Sequence, residues 1–96
     1  MRLDVTGELF HWRGPSPYHY VRVGEEATDA IAEVAPQVSY GWGCIPVRAR
    51  IGSTSWTTSL FPKDGGYLVP VKDVIRRAEQ VDLGDVLEIV LEIDVD

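Results

Sequence analysis

The sequence predicts a mainly β protein: a small antiparallel barrel of about six strands with two short helices. Apolar and polar residues alternate along six short segments, most regularly in the last one, where Leu87, Ile89, Leu91 and Ile93 alternate mainly with acidic residues. Two other segments show the spacing of an amphipathic helix. Because a sheet of short antiparallel strands leaves unpaired edges unless it closes, a barrel is the expected arrangement.

Length and composition bound the function. A chain of 96 residues, 45% hydrophobic and 25% charged, is expected to form one globular domain, residues 1–96. A net charge of −6 argues against nucleic-acid binding, which needs a basic surface. The single cysteine, Cys44, excludes an internal disulfide and a cysteine-based zinc cluster, and no cofactor or metal is expected. Asp4 stands where a signal peptide needs apolar residues, and no run approaches the ~20 apolar residues of a membrane helix, so a soluble cytoplasmic protein is expected.

The first two strands are predicted at residues 3–12 and 18–23. A hairpin centred near Pro15 gives three facing pairs: Trp12 with Tyr18, His11 with His19, and Phe10 with Tyr20. The favoured interpretation is a rung of rings that fixes the strand register. The alternative is that the two histidines bind a metal ion or respond to pH. Phe10 and Trp12 fall on the opposite face of the strand from Leu9. A bulge, or a strand end that is buried on both faces, is therefore also expected.

A helix is predicted from Gly24 to Pro36, with Pro36 ending it. The connector that follows carries Trp42 between two glycines. Such a tryptophan is expected to tuck over an edge of the core. The alternative is that it covers a ligand or contacts a partner surface.

Residues 44–51 and 55–61 are expected to form the next two strands, joined by a turn at residues 52–54. Arg48 and Arg50 share the outward face of the first of them, where like charges repel unless something separates them. Acidic partners on a neighbouring strand are the favoured explanation, and a bound anion is the alternative.

A long hairpin tip at residues 62–66 and a short strand at 67–69 are expected before the second helix. Pro70 is predicted to open that helix, about three turns long. Its apolar residues fall at helical spacing: Val71, Val74, Ile75 and Ala78.

A set of residues in the middle of the chain forms a recognisable signature: Ile51-Gly52, Trp56, Thr58-Ser59-Leu60-Phe61-Pro62, Gly65-Gly66-Tyr67 and Leu68-Val69-Pro70-Val71-Lys72. With the spacing of Trp12, Gly14 and Pro17 and with Gly84-Asp85-Val86, it resembles a bacterial family described only as Domain of Unknown Function nineteen-oh-five. The resemblance covers nearly the whole chain. It implies a partly open six-stranded barrel, grouped with the double-split barrels of AbrB-type DNA-binding domains, and an association of some members with YdeI/OmdA-type domains. It implies no catalytic residue, cofactor or substrate.

The sequence contains no recognised catalytic motif, so no catalytic residue is predicted. Cys44 beside a histidine would be a candidate nucleophile, although a lone cysteine at the start of a strand is more typical of packing. Bases and aromatics at strand ends are the most site-like residues. We expect them to line a barrel mouth that receives a small anionic or planar ligand: Arg48, Arg50, Trp56, Lys63, Tyr67 and Lys72. The alternative is that such rings fill the interior, as is usual in a small barrel.

Three function classes follow. A non-catalytic module that binds a small ligand or a protein partner is favoured. A small hydrolase or transferase ranks second and requires His11, His19 or Cys44 to meet an acid in a cleft. An AbrB-like DNA-binding dimer ranks third, because it rests on fold analogy and the acidic charge disfavours it. Whether the chain forms a homodimer stays open.

Overall fold

The computed structural model describes residues 1–13 and 17–95, so the predicted turn centre at Pro15 lies outside the described residues. The strands are Arg2–Arg13 (β1), Pro17–Arg22 (β2), Ile45–Ile51 (β3), Thr54–Lys63 (β4), Gly66–Val71 (β5) and Val86–Glu92 (β6). The helices are Glu25–Val38 (α1) and Asp73–Glu79 (α2), with a 3-10 helix at Gly41–Gly43. Within the described ranges, no helix has the length and apolar character needed to cross a membrane.

The six strands form a closed antiparallel barrel in the order β1-β2-β5-β4-β3-β6. Strand β1 is long enough to serve two neighbours: residues 2–8 pair with β6 and residues 9–13 with β2. Three residue pairs between β3 and β6 close the ring: Arg48 with Glu92, Ala49 with Leu91, and Arg50 with Val90. The predicted six-stranded antiparallel barrel with two short helices is confirmed. Its ring of strand pairing is complete, so the barrel is closed and not partly open as the resemblance implied.

Gly7 lies where β1 passes from β6 to β2. A Cβ atom at this position would stand 2.7 Å from Cγ1 of Val21 and 2.9 Å from the carbonyl oxygen of Arg22. Real side chains do not approach backbone this closely, so the crossing needs a residue without a Cβ atom.

The core lies inside the barrel and follows the predicted alternation. Burial alternates strictly along β3, and the four apolar residues predicted to face inward around β6 are all buried. Each helix adds one buried side chain to this core, Ile31 from α1 and Ile75 from α2. The interior is therefore apolar, and charged side chains such as Arg48 and Arg50 lie on the outer face.

The predicted register of the first hairpin is confirmed, with His11 opposite His19 and Phe10 opposite Tyr20. Neither register of β1 contains an extra residue, so β1 has no bulge. The other interpretation holds: Leu9 is buried inside the barrel while Phe10 is half-buried on the outer face.

The prediction that Pro36 ends the first helix is wrong, because α1 continues to Val38. Pro36 removes one hydrogen bond to the carbonyl four positions earlier, that of the exposed Ala32, and its ring crowds that carbonyl, but it lies only two residues before the end of α1. The amide of Ser39 still donates to the carbonyl of Ala35 and completes the final turn.

The predicted long hairpin tip is also wrong. The β4–β5 turn consists of Asp64 and Gly65 alone, with φ angles of 50° and 76°. Two consecutive positive φ angles are typical of the tight turns that suit the twist of a hairpin. Pro62 and Lys63 consequently belong to β4.

Pro70 does not open the second helix, as the sequence predicted, but lies within β5 opposite Tyr20. Its carbonyl accepts a hydrogen bond from the indole N–H of Trp56 at 3.2 Å. The helix starts at Asp73 and spans seven residues, so of the predicted apolar stripe it contributes Ile75 to the core and leaves Val74 exposed. Strand pairing has overridden the helical spacing.

Replacing Trp56 tests the packing of the core. This side chain is only 8% exposed and belongs to the interior cluster. We expect Trp56→Ala to lower the free energy of unfolding by about 3–5 kcal/mol, because it leaves a large cavity. Urea denaturation followed by circular dichroism measures the loss. Trp56→Phe is the control that keeps an aromatic ring but removes the bond to Pro70, and it should cost clearly less; equal losses would contradict a packing role.

Candidate functional site

The structure divides the six predicted site residues among three places. Arg48, Arg50 and Trp56 border a groove on the β3–β4–β6 side of the barrel. Lys63 and Tyr67 line a cleft beside α1. Lys72 is exposed at the start of α2, where its backbone carbonyl accepts the amides of Ile75 and Arg76. The predicted barrel-mouth set is therefore not one cluster.

The two arginines of β3 have different surroundings. Arg48 makes a bidentate pair with Asp94, both contacts at 3.0 Å, and lies 3.6 Å from Glu92. The hydrogen bond from Arg48 lowers the pKa of Asp94 below its usual value. Arg50 instead donates to the carbonyl of Gly52 at 2.9 Å, and it has no acidic partner in the described part of the chain. The expectation of acidic partners is confirmed for Arg48 and not for Arg50.

Trp56 contributes to the interior more than to the groove. It faces Ala49 across the β3–β4 ladder, and both residues are buried. The ring of Trp56 therefore packs in the barrel interior, as the alternative interpretation of the sequence expected.

A cleft of about 390 Å³ separates α1 from the β4–β5 hairpin. Its walls are Thr28 and Ala32 on the helix and residues 62–67 on the hairpin. The ammonium of Lys63 lies 3.6 Å from the carboxylate of Asp64, which also lines the cleft, and 4.3 Å from the ring centre of Trp12, so it already has two partners.

Four aromatic side chains meet on the outer face of β1, β2 and β4. Trp12 lies 5.7 Å from both Tyr20 and Phe61, and Phe10 lies 6.3 Å from Tyr20, measured between ring centres. Tyr20 is buried but is not part of the interior cluster, so these rings form a separate layer outside the barrel. The sequence indicated the pairing of β1 with β2 but missed Phe61, because its strand comes from a distant part of the chain.

Trp42 is the most exposed large hydrophobic side chain described, at 95%. It has a left-handed backbone, φ 65°, within the 3-10 helix Gly41–Gly43. Both flanks of this turn lie near β4: the hydroxyl groups of Tyr40 and Ser59 are 2.7 Å apart, and a Cβ atom added at Gly43 would stand 3.3 Å from Cγ of Pro62. The expectation that Trp42 tucks over a core edge is wrong, since the turn directs the indole into solvent.

The Trp42 turn and the four rings are close neighbours. Ser59, which contacts Tyr40, and Phe61, which contacts Trp12, are two residues apart on the same face of β4, roughly 7 Å. We refer to the four rings together with the turn as the outer aromatic surface: Phe10, Trp12, Tyr20, Phe61 and residues 40–43.

The predicted histidine pair exists, with ring centres 5.2 Å apart in an edge-to-face arrangement. Nδ1 of His19 lies 3.8 Å from Asp73. Burial, followed by the charges of Arg76 and His11, lowers the pKa of His19 below 6.5, against the opposing effect of Asp73. Among residues 1–13 and 17–95, no three His, Cys, Asp or Glu side chains are placed to hold a metal ion.

Cys44, immediately before β3, is remote from the two histidines on β1 and β2. In the ring of strands, β4 and β5 lie between β3 and β2, and β6 lies between β3 and β1.

The pKa of His19 gives a direct test of this cluster. We expect His19 to titrate below 6.5 and Arg76→Gln to raise its pKa, because the substitution removes a cation and frees Asp73. The pKa of His19 is lower in the folded chain than in the unfolded chain, so the unfolded chain binds a proton to this ring more readily. Protonation of His19 should therefore lower the free energy of unfolding as the pH falls from about 6.5 toward the pKa of the folded chain.

Histidine ring resonances followed by NMR measure both values. Arg77→Gln is the control, because it removes an exposed charge from the same helix. A pKa of His19 at or above 6.5, or an equal response to the two substitutions, would contradict the arrangement described.

Comparison with known proteins gives one match. A family model described as "Domain of unknown function (DUF1905)" matches residues 6–91, which include most of β1 and nearly all of β6. No curated protein and no solved structure matches. The resemblance in the sequence is thereby confirmed, and the chain belongs to the DUF1905 family.

Proposed function

We propose that this chain is a non-catalytic protein-interaction module that binds its partner through the outer aromatic surface. The observation that carries the proposal is Trp42, an indole 95% exposed on a turn anchored at Tyr40 and Gly43. A positive φ is a rare backbone conformation for a side chain as bulky as tryptophan, and such strain is concentrated at functional sites.

The energetics favour a binding role for these rings. Tryptophan and tyrosine are enriched among the residues that dominate binding energy, because one side chain buries ~150–250 Å². Trp42 contributes almost none of its surface to the fold, and Tyr40 is 55% exposed. The contacts of the turn with β4 also lower the backbone entropy that is lost when a partner binds.

Charge indicates the kind of partner. Lys63 and Arg22 flank the rings: Lys63 lies over Trp12, and Arg22 contacts the β4–β5 turn through the carbonyl of Asp64. Lys63 also lies 3.6 Å from the carboxylate of Asp64, whereas no acidic side chain in the described part of the chain is paired with Arg22. The occupant proposed is therefore a protein segment that presents apolar side chains flanked by aspartate or glutamate.

The other classes have less support. For a hydrolase or transferase, His11 and His19 gather near Asp73, but Cys44 lies elsewhere in the ring of strands. For a DNA-binding dimer, the net charge of −6 is unfavourable.

We place the module in the bacterial cytoplasm, an assignment supported by the family resemblance and by one free thiol, Cys44.

Selection of peptides from a random display library tests the proposal. We expect enriched peptides to combine aromatic or aliphatic residues with acidic flanks. Trp42→Ala should weaken their binding by roughly 30-fold, which corresponds to the loss of about 2 kcal/mol at a hot spot. Isothermal titration calorimetry measures the affinities. Val74→Ser is the matched control, because it removes an exposed apolar side chain from α2.

Two outcomes would overturn the proposal. One is that selected peptides bind Trp42→Ala and the native chain equally. The other is a dimer in analytical ultracentrifugation that Trp42→Ser dissociates, which would make a second copy of the chain the occupant.

A further inference from the structure

A second surface, away from the outer aromatic surface, has the chemistry of a binding site. A groove of about 270 Å³ crosses the outer face where β3 lies between β4 and β6. Six side chains of this face line it: Arg48, Arg50, Ser55, Thr57, Val90 and Glu92. Its volume is just below the ~300–1,000 Å³ of sites for drug-sized ligands, so its occupant is small.

Arg50 is the cation of this groove with unused hydrogen-bonding capacity. A guanidinium carries five N–H donors and stays charged at any ordinary pH. One nitrogen of Arg50 donates to the carbonyl of Gly52, and no acidic side chain in the described part of the chain neutralises it. Arg48, in contrast, is held by Asp94 and Glu92.

The neighbours of Arg50 complete a site for an oxyanion. Ser55 lies directly opposite it on β4 and Val90 directly opposite on β6, each at a cross-strand distance of ~5 Å. Thr57, two residues further along β4 and opposite Arg48, adds a second hydroxyl on the same face. A guanidinium with two hydroxyl groups suits a tetrahedral group with several oxygens, and Val90 offers an apolar contact to the remainder of the ligand.

We propose that this groove binds the phosphoryl group of a small organic phosphate, with Arg50 and Ser55 as its principal donors. Glu92 lies at the same groove and repels an anion, although Arg48 partly offsets its charge. The two residues therefore have opposite effects: removing the charge of Arg50 weakens binding, and removing the charge of Glu92 strengthens it. This site is independent of the protein partner proposed above.

Amide resonances followed by NMR test the site, with glycerol phosphate, inorganic phosphate and acetate titrated separately at constant ionic strength. We expect glycerol phosphate to shift amides around residues 50, 55 and 57 saturably, inorganic phosphate to bind more weakly, and acetate to have no saturable effect. Arg50→Gln should weaken binding about tenfold or more, the loss typical of a charge-assisted hydrogen bond. Glu92→Gln should bind more tightly than the native chain.

Arg77→Gln is the matched control, because it removes an exposed cation outside the groove. Unsaturable or equal shifts with all three anions would indicate a general ion effect and overturn the proposal. So would equal affinities of Arg50→Gln and Arg77→Gln, or weaker binding by Glu92→Gln. Each variant alters an exposed side chain, and retained amide dispersion verifies its fold.

Discussion

Closure of the barrel between β3 and β6 is the constraint on which the other features depend. Only three residue pairs form this seam, fewer than in the β1–β6 or β3–β4 ladders. On its inner side, Ala49 and Leu91 are buried against each other's strands. On its outer side, the seam brings Arg48 to Glu92 and leaves Arg50 beside Val90. Without closure, Arg48 would lose the acidic side chain of Glu92 on β6, and the groove would lose the wall that β6 provides.

In a closed barrel, the inward face of each strand forms the core and the outward face contacts solvent. The inner side chains form one apolar cluster that includes Ile31 and Ile75 from the helices, and this cluster holds the fold. The outer side chains are then free to serve binding, and the described outer features differ in chemistry. Rings and two cations lie on the β1–β2–β5–β4 side, whereas arginines, hydroxyls and acids lie on the β3–β4–β6 side. A chain of this size can therefore present two unlike surfaces without weakening its core.

Strand alternation and hairpin register were predictable because both depend on local period and on turn position. The pairing of His11 with His19 and the inward residues of β6 are examples. Features decided by tertiary contacts were not predictable. Pairing with β2 draws Pro70 into a strand, and Phe61 of β4 contacts Trp12 of β1 on the outer face of the barrel. The local pattern also does not reveal the exposure of Trp42, because the residues that hold its turn come from β4. It does not reveal how the six site residues are divided either, because alternation along a strand says which face a side chain is on but not which strand lies beside it.

Amide hydrogen exchange across the β3–β6 seam is the most direct test of this account. Exchange of a core amide requires a large or global opening, whereas a frayed edge exchanges through local motions. If the barrel is closed, those amides of residues 48–50 and 90–92 that point across the seam should exchange with a free energy close to that of global unfolding, like the paired amides of the β1–β6 ladder. Seam amides that exchange as fast as the turn at residues 52–53, while the β3–β4 ladder stays protected, would show an open sheet and contradict the account.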